Sequence, residues 1–229
     1  MTHVRYLGHS FFLIAFKHAN ILVDPFVYSG SPEPQFKRME KCPAREKDIP
    51  KIEFILVTQE NFDHFDKKFI ESIAKRDNAS VVATQNVLNE LSLPQSQLVP
   101  VESGQKRKLK GIDVTVMDAH FPTSFYPVSY HVSDGETSIY HAGASQDFSE
   151  HESLKADLLL LPIGGTISMD VVDAVKLTKT AKPKYAIPMH YNTFDFIKVD
   201  PREFSHRITK SILKTKPVIL KPGETFHLD

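Results

Sequence analysis

An aspartate and a histidine stand side by side, Asp63-His64, at the end of the stretch Phe54-Ile55-Leu56-Val57-Thr58-Gln59-Glu60-Asn61-Phe62-Asp63-His64. A carboxylate and an imidazole so placed can hold a divalent cation or move a proton. Two further histidines follow apolar segments: His120 comes after 112–117, and His190 stands in Met189-His190-Tyr191-Asn192 after 185–188. A plainer account fits the same residues locally. Asp63 caps a helix, and His64 is a surface residue of its first turn.

The elements around Asp63 and His64 limit where they can lie. The apolar run 54–57 reads as a buried strand. Phe65, Phe69, Ile70 and Ile73 then repeat at the spacing of one helix face. Asp63 and His64 therefore fall at a strand-to-helix turn, beside a helix N-terminus that favours a carboxylate. Loops at strand ends are where a rigid scaffold presents reactive groups.

Strands are expected at 4–7, 11–16, 21–23, 80–83, 98–101, 112–117, 128–132, 138–140, 157–161, 185–188, 218–220 and 225–228. A short helix is expected around Val87, Leu88 and Leu91. Another follows Gly164-Gly165, capped by Ser168 with Asp170 in its first turn, and a last one carries Phe204, Ile208, Ile212 and Leu213. Asp134-Gly135 signals a hairpin. Segment 26–50 is rich in proline and carries Lys37, Arg38, Lys41, Arg45 and Lys47. It reads either as a solvated loop or as a lid that meets an anionic substrate.

The chain has 229 residues, 41% hydrophobic and 24% charged, and its 28 basic residues balance 28 acidic ones. A chain of this size can bury a sizeable core, and 1–229 reads as one mixed domain. Zero net charge argues against nucleic acid or a membrane surface as partner. A lone cysteine, Cys42, excludes an internal disulfide and a Cys-rich zinc site. No leader or membrane-length apolar run is evident, so a cytoplasmic protein is expected. A small-molecule substrate fits best, and homo-oligomerisation is left open.

The motif 58–64 resembles the Thr-His-x-His-x-Asp-His loop of metallo-β-lactamase-fold hydrolases, with Gln59 and Asn61 where that family has histidine. Leu7-Gly8-His9-Ser10-Phe11, Asp24-Pro25-Phe26, Ala119-His120, Tyr140-His141-Ala142-Gly143, Leu161-Pro162-Ile163-Gly164-Gly165 and Pro188-Met189-His190-Tyr191-Asn192 are similar to the branch near L-ascorbate-6-phosphate lactonase, in the same order. The resemblance implies an α+β fold, a four-layer αββα sandwich of two mixed β-sheets. It also implies two metal sites. The first would fall on Gln59, Asn61, His120 and Ala144, of which only His120 is a good ligand. The second would fall on Asp63, His64, His190 and Ala144, and keeps three of its four.

What the resemblance implies is thus a reduced, single-metal site for Zn, Mn or Fe. Asp63, His64 and His190 are its ligands, with His120 as a fourth or bonded to a metal-held water, and Gln59, Asn61, Tyr191 and His9 beside them. The chain would then hydrolyse a small ester, lactone, thioester or phosphoester. Asp63 would handle the water's proton, and His120 or Asn61 would steady the developing oxyanion. A conventional two-metal centre would need substitute ligands such as Glu60 or His9. The alternative is a pseudoenzyme without metal that binds a ligand or partner. His9 is otherwise read as a satisfied core or edge histidine, and His141 as orienting the Ala142-Gly143 turn. His3, His18, His131, His151, His206 and His227 are read as surface residues.

Overall fold

In β2 (Phe11–Ala15) every side chain is buried, and alternation decides which layer each one enters. Phe12 and Ile14 join Val4, Tyr6, Val114, Val116, Tyr130 and Leu159 in one apolar core. Phe11 and Leu13 join Leu22, Ile55, Phe69, Ile70 and Ile73 in another. A strand covered on both faces lies inside the molecule.

This arrangement comes from the computed structural model, which describes residues 1–27, 33–146 and 154–229. His151, expected on the surface, lies outside the described residues. One sheet of seven strands runs β14 (Thr225–His227), β1 (His3–Gly8), β2, β3 (Asn20–Val23), β4 (Phe54–Leu56), β5 (Ser80–Ala83) and β6 (Leu98–Pro100). The other runs β13 (Lys216–Pro217), β12 (Tyr185–Met189), β11 (Leu158–Pro162), β10 (Ser138–His141), β9 (Val128–Ser133), β8 (Ile112–Asp118) and β7 (Lys106–Leu109). Both are mixed: β1 to β3 pair antiparallel and β3 to β6 parallel, while β7 to β10 pair antiparallel and β10 to β13 parallel. The first core holds residues of both sheets, and the helices bring their own apolar faces. This is the expected α+β sandwich of two mixed sheets with helices.

Helix α1 (Lys67–Asp77) is too short to persist in isolation. Its buried Phe69, Ile70, Ile73 and Ala74 tie it to the sheet, each large apolar side chain contributing about 1.5–3 kcal/mol. Its cap is Asp66, which accepts from the Phe69 N–H at 3.1 Å. Asp63 is therefore free of the capping role. The short helix expected around Val87 and Leu88 is α2 (Gln85–Asn89). Asp170, not Ser168, caps α3 (Val171–Ala181), accepting from the Asp173 N–H. The last helix, α4 (Pro201–Thr209), ends before Ile212, whose side chain is fully exposed. Strand β7 was not expected, because Lys106, Arg107 and Lys108 hide its pattern; such charges suit an edge strand. Among the described residues no helix is long and apolar enough to cross a membrane.

Candidate metal centre

The ends of parallel strands from both sheets converge on one place. Asp24 follows β3, the 58–64 loop follows β4, Gly164 follows β11 and His190 follows β12. His9 sits in the tight turn between β1 and β2. His9, Asp24 and His190 all have left-handed backbone, with φ of 60°, 48° and 56°. Such conformations cost of order 1 kcal/mol or more each and persist only where the surroundings enforce them. Here the His190 N–H donates to the His9 carbonyl at 2.7 Å, locking the two turns together. Gly164 lets the end of β12 lie close against the end of β11: a Cβ there would lie 2.3 Å from the His190 carbonyl oxygen.

One ligand atom from each of His9, Asp63, His64 and His190 lies within 4.8 Å of the other three, and all four residues are buried. His64 Nε2 and both ring nitrogens of His190 are buried with no hydrogen-bond partner. The other side of His64 is fixed. Its Nδ1 donates to Asp24 Oδ2 at 2.6 Å, and Asp24 also accepts from the Thr58 N–H at 2.8 Å and the Thr58 hydroxyl at 2.7 Å. An imidazole held by a carboxylate at one nitrogen presents the other as a lone pair, the usual arrangement behind a metal-bound histidine. His9 Nε2 lies 3.2 Å from Asp63 Oδ2, and its Nδ1 lies 3.0 Å from the Thr193 hydroxyl.

Burial dominates the electrostatics of two of these groups. It pushes His9 down to about 4, only partly offset by Asp63. Burial, reinforced by His9 and His64, holds His190 well below the ordinary histidine value. Both rings are thus neutral near pH 7, as ligands must be. Burial also opposes charge on Asp63 and His64, but here the partners win. His64 together with His9 and His190 holds Asp63 below the usual carboxylate range, and Asp24 raises His64.

Asp63 also borders a cleft of about 630 Å³, walled by Phe36, Phe62, Phe121, Ile167 and Phe196, with Asn61, Thr123, Gln35 and Glu33 at its edges. The aromatic rings brace one another: Phe36 and Phe62 are 5.1 Å apart, and Phe36 and Phe196 5.7 Å. One wall is pinned to the 58–64 loop. Asn61 Nδ2 donates to the Thr123 hydroxyl at 3.1 Å, and Glu60 accepts from the Ser124 hydroxyl and the Phe125 N–H, each at 2.8 Å.

Residues 3–190 match the Beta-lactamase superfamily domain. UPF0173 metal-dependent hydrolases of Thermofilum pendens and Staphylothermus marinus are 33% and 34% identical to the chain, over 98% and 99% of both partners. The chain belongs to this family. In three dimensions it is similar to Igni18, described as a novel metallo hydrolase from Ignicoccus hospitalis, with a TM-score of 0.83 at 26% identity over 100% of this chain and 99% of that one. Isothiocyanate hydrolase from Delia radicum gut bacteria shares the fold, with a TM-score of 0.80 at 14% identity, covering 99% of this chain and 98% of that one.

Within this family frame, the structure brings together three of the four ligands expected from sequence: Asp63, His64 and His190. His120 is not among them. It is exposed, and its backbone N–H is held by the Ser145 hydroxyl at 3.0 Å. His9, expected beside the ligands, instead completes the buried cluster of four. His64, in the plainer account a surface residue, is wholly buried. Gln59 is buried with Nε2 unpartnered, Asn61 lines the cleft, and Tyr191 lines a separate cavity behind His9. His141 does brace its turn, accepting from the Gly143 N–H at 3.1 Å. The bases of segment 26–50 do not line the cleft: Arg38 stacks 4.2 Å over the Phe26 ring, and Arg45 pairs with Asp48 at 2.5 Å. Sequence reasoning passed over Asp24 as the group behind His64. The signals for it were an aspartate ending an apolar strand just before Pro25 and the likeness of Asp24-Pro25-Phe26 to a family motif.

Proposed function

We propose that His9, Asp63, His64 and His190 hold a single divalent cation and that the chain is a metal-dependent hydrolase of a small ester-type substrate. The observation that carries this reading is the set of buried, unpartnered ring nitrogens on His64 and His190 facing the Asp63 carboxylate. Each unsatisfied buried group costs about 1–3 kcal/mol, so a disused site would be a pure loss to the fold. That weighs against the non-catalytic alternative. Three imidazoles and one carboxylate suit zinc, manganese or iron. A cation so held supplies Lewis acidity and lowers the pKa of water from about 16 toward about 7.

The chain's own groups have distinct tasks in this reading. Asp24 keeps the proton of His64 on Nδ1. The Thr193 hydroxyl can donate to or accept from His9 Nδ1, so His9 can shift its proton there and free Nε2. Asp63, ionised and bordering the cleft, is placed to orient a water by accepting a hydrogen bond from it. The Asn61 amide spends one N–H on Thr123 and has a second available for a substrate carbonyl oxygen. Likeness to the L-ascorbate-6-phosphate lactonase branch rests on motifs alone, and the proposed substrate is not drawn from it.

The test is calorimetric titration of the chelator-treated chain with zinc and with manganese, alongside His190→Ala. One equivalent bound by the wild type and none by the variant is the expected result. A wild-type chain that binds neither ion sinks the proposal.

A further inference from the structure

The walls of the cleft beside Asp63 show what kind of group fills it. Phe36, Phe62, Phe121, Ile167 and Phe196 supply apolar surface, and the charged residues that line it are both acidic, Glu33 and Asp63. No lysine or arginine lines it among the described residues. Lys37, next to Phe36, is exposed and does not line it, and Arg38 is turned away: it stacks on Phe26, donates through Nη1 to the Phe26 carbonyl at 2.7 Å, and lines the separate cavity behind His9. An anionic group at the far end of the cleft would leave water for an apolar wall beside Glu33 with no lysine or arginine to meet it, while a cation held at Asp63 would engage the reacting carbonyl and not that group. An aryl or alkyl group would only lose contact with water, which is favourable. The volume, about 630 Å³, matches a small-molecule site.

We infer that this cleft takes an uncharged aryl or alkyl arm of the substrate, making the substrate an apolar carboxylic ester and not a phosphorylated or carboxylated compound. The word "ester" rests on the hydrolase reading above; the apolar arm does not. In the reaction one water is consumed. Its oxygen bonds to the acyl carbon, the ester C–O bond breaks, and a proton goes to the departing alcohol.

Two matched, uncleavable probes separate the possibilities: 4-phenylbutanamide and 4-phosphonobutanamide, which share a head group and differ only at the far end. Calorimetric titration into the chelator-treated chain at neutral pH should show the phenyl compound binding at least about tenfold more tightly. Ile167→Lys places a cation on the half-buried wall and should narrow or reverse that preference. Phe36→Ser should weaken the phenyl compound alone. Equal or tighter binding of the phosphonate by the wild type overturns the inference, as does failure of both compounds to bind at millimolar concentration. A phenyl preference without turnover of ethyl 4-phenylbutanoate under zinc, manganese or iron supports the cleft assignment and defeats the hydrolase reading. Faster turnover of the phosphono ester than of the phenyl ester does the opposite.

Discussion

Replacing Asp24 with asparagine tests the logic of the centre without touching a proposed ligand. Asp24 is wholly buried and accepts three hydrogen bonds, two from Thr58 and one from His64 Nδ1. Asparagine fits the space and tolerates the left-handed backbone found at this position. Its amide has only one acceptor oxygen. If that oxygen keeps the Thr58 N–H, the NH2 group meets His64 Nδ1, and the ring must carry its proton on Nε2 instead. The lone pair facing Asp63 is then lost. Removing such a partner typically costs 10–100-fold in metal affinity, which is about 1.4–2.7 kcal/mol. Losing a charge-assisted hydrogen bond should also lower stability by about 1.5–3 kcal/mol, or about 3–12 °C in a chain of this size. Calorimetric zinc titration gives the first quantity, and thermal melts with and without zinc give the second. The cation-dependent rise in Tm should shrink along with the affinity, because at a fixed zinc concentration the stabilisation grows with the logarithm of free zinc over Kd. A variant that melts lower yet binds zinc as the wild type does would show that Asp24 merely packs the turn, refuting the argument.

Three other expectations follow from the geometry. His9→Asn, which also tolerates the left-handed backbone, should weaken zinc binding by about tenfold or more, whereas His120→Ala should leave it unchanged; equal effects in the two titrations would contradict the four-residue set. Gly164→Ala must displace the His190 carbonyl and should cost about 1–3 kcal/mol, read as a lower denaturant midpoint together with weakened zinc binding. Asp157 accepts from the Ser138 N–H and hydroxyl and pairs with Lys184 at 3.0 Å. Burial opposes its charge, but these partners outweigh it and hold it below the ordinary aspartate value. Its contribution should therefore be intact above the unfolded value and be lost as pH falls through the lower folded one. Asp157→Asn should flatten the fall of Tm in that acid range, and an unchanged slope would remove Asp157 from the account.

Local sequence was enough to mark most strands and the helix after His64, because burial leaves a period that neighbours along the chain can show. The failures have the same origin. The charges of Lys106, Arg107 and Lys108 mask an edge strand, and Asp66 outcompetes Asp63 for the helix cap through geometry that spacing cannot resolve. The Asp63-His64 pair was visible as chemistry, and its likeness to a known loop pointed to His190 as a third partner.

Sequence by itself thus carried the alternation that builds the sheets and, through the likeness to a known loop, marked His64, Asp63 and His190 as candidate donors. Tertiary structure alone decided that His9 meets Asp63 across 54 positions of chain, and that His120 turns to solvent. It also decided that phenylalanines scattered from Phe36 to Phe196 close one apolar cleft. The reason is physical: strand ends from two sheets meet where the layers pack, and separation along the chain carries no record of that meeting.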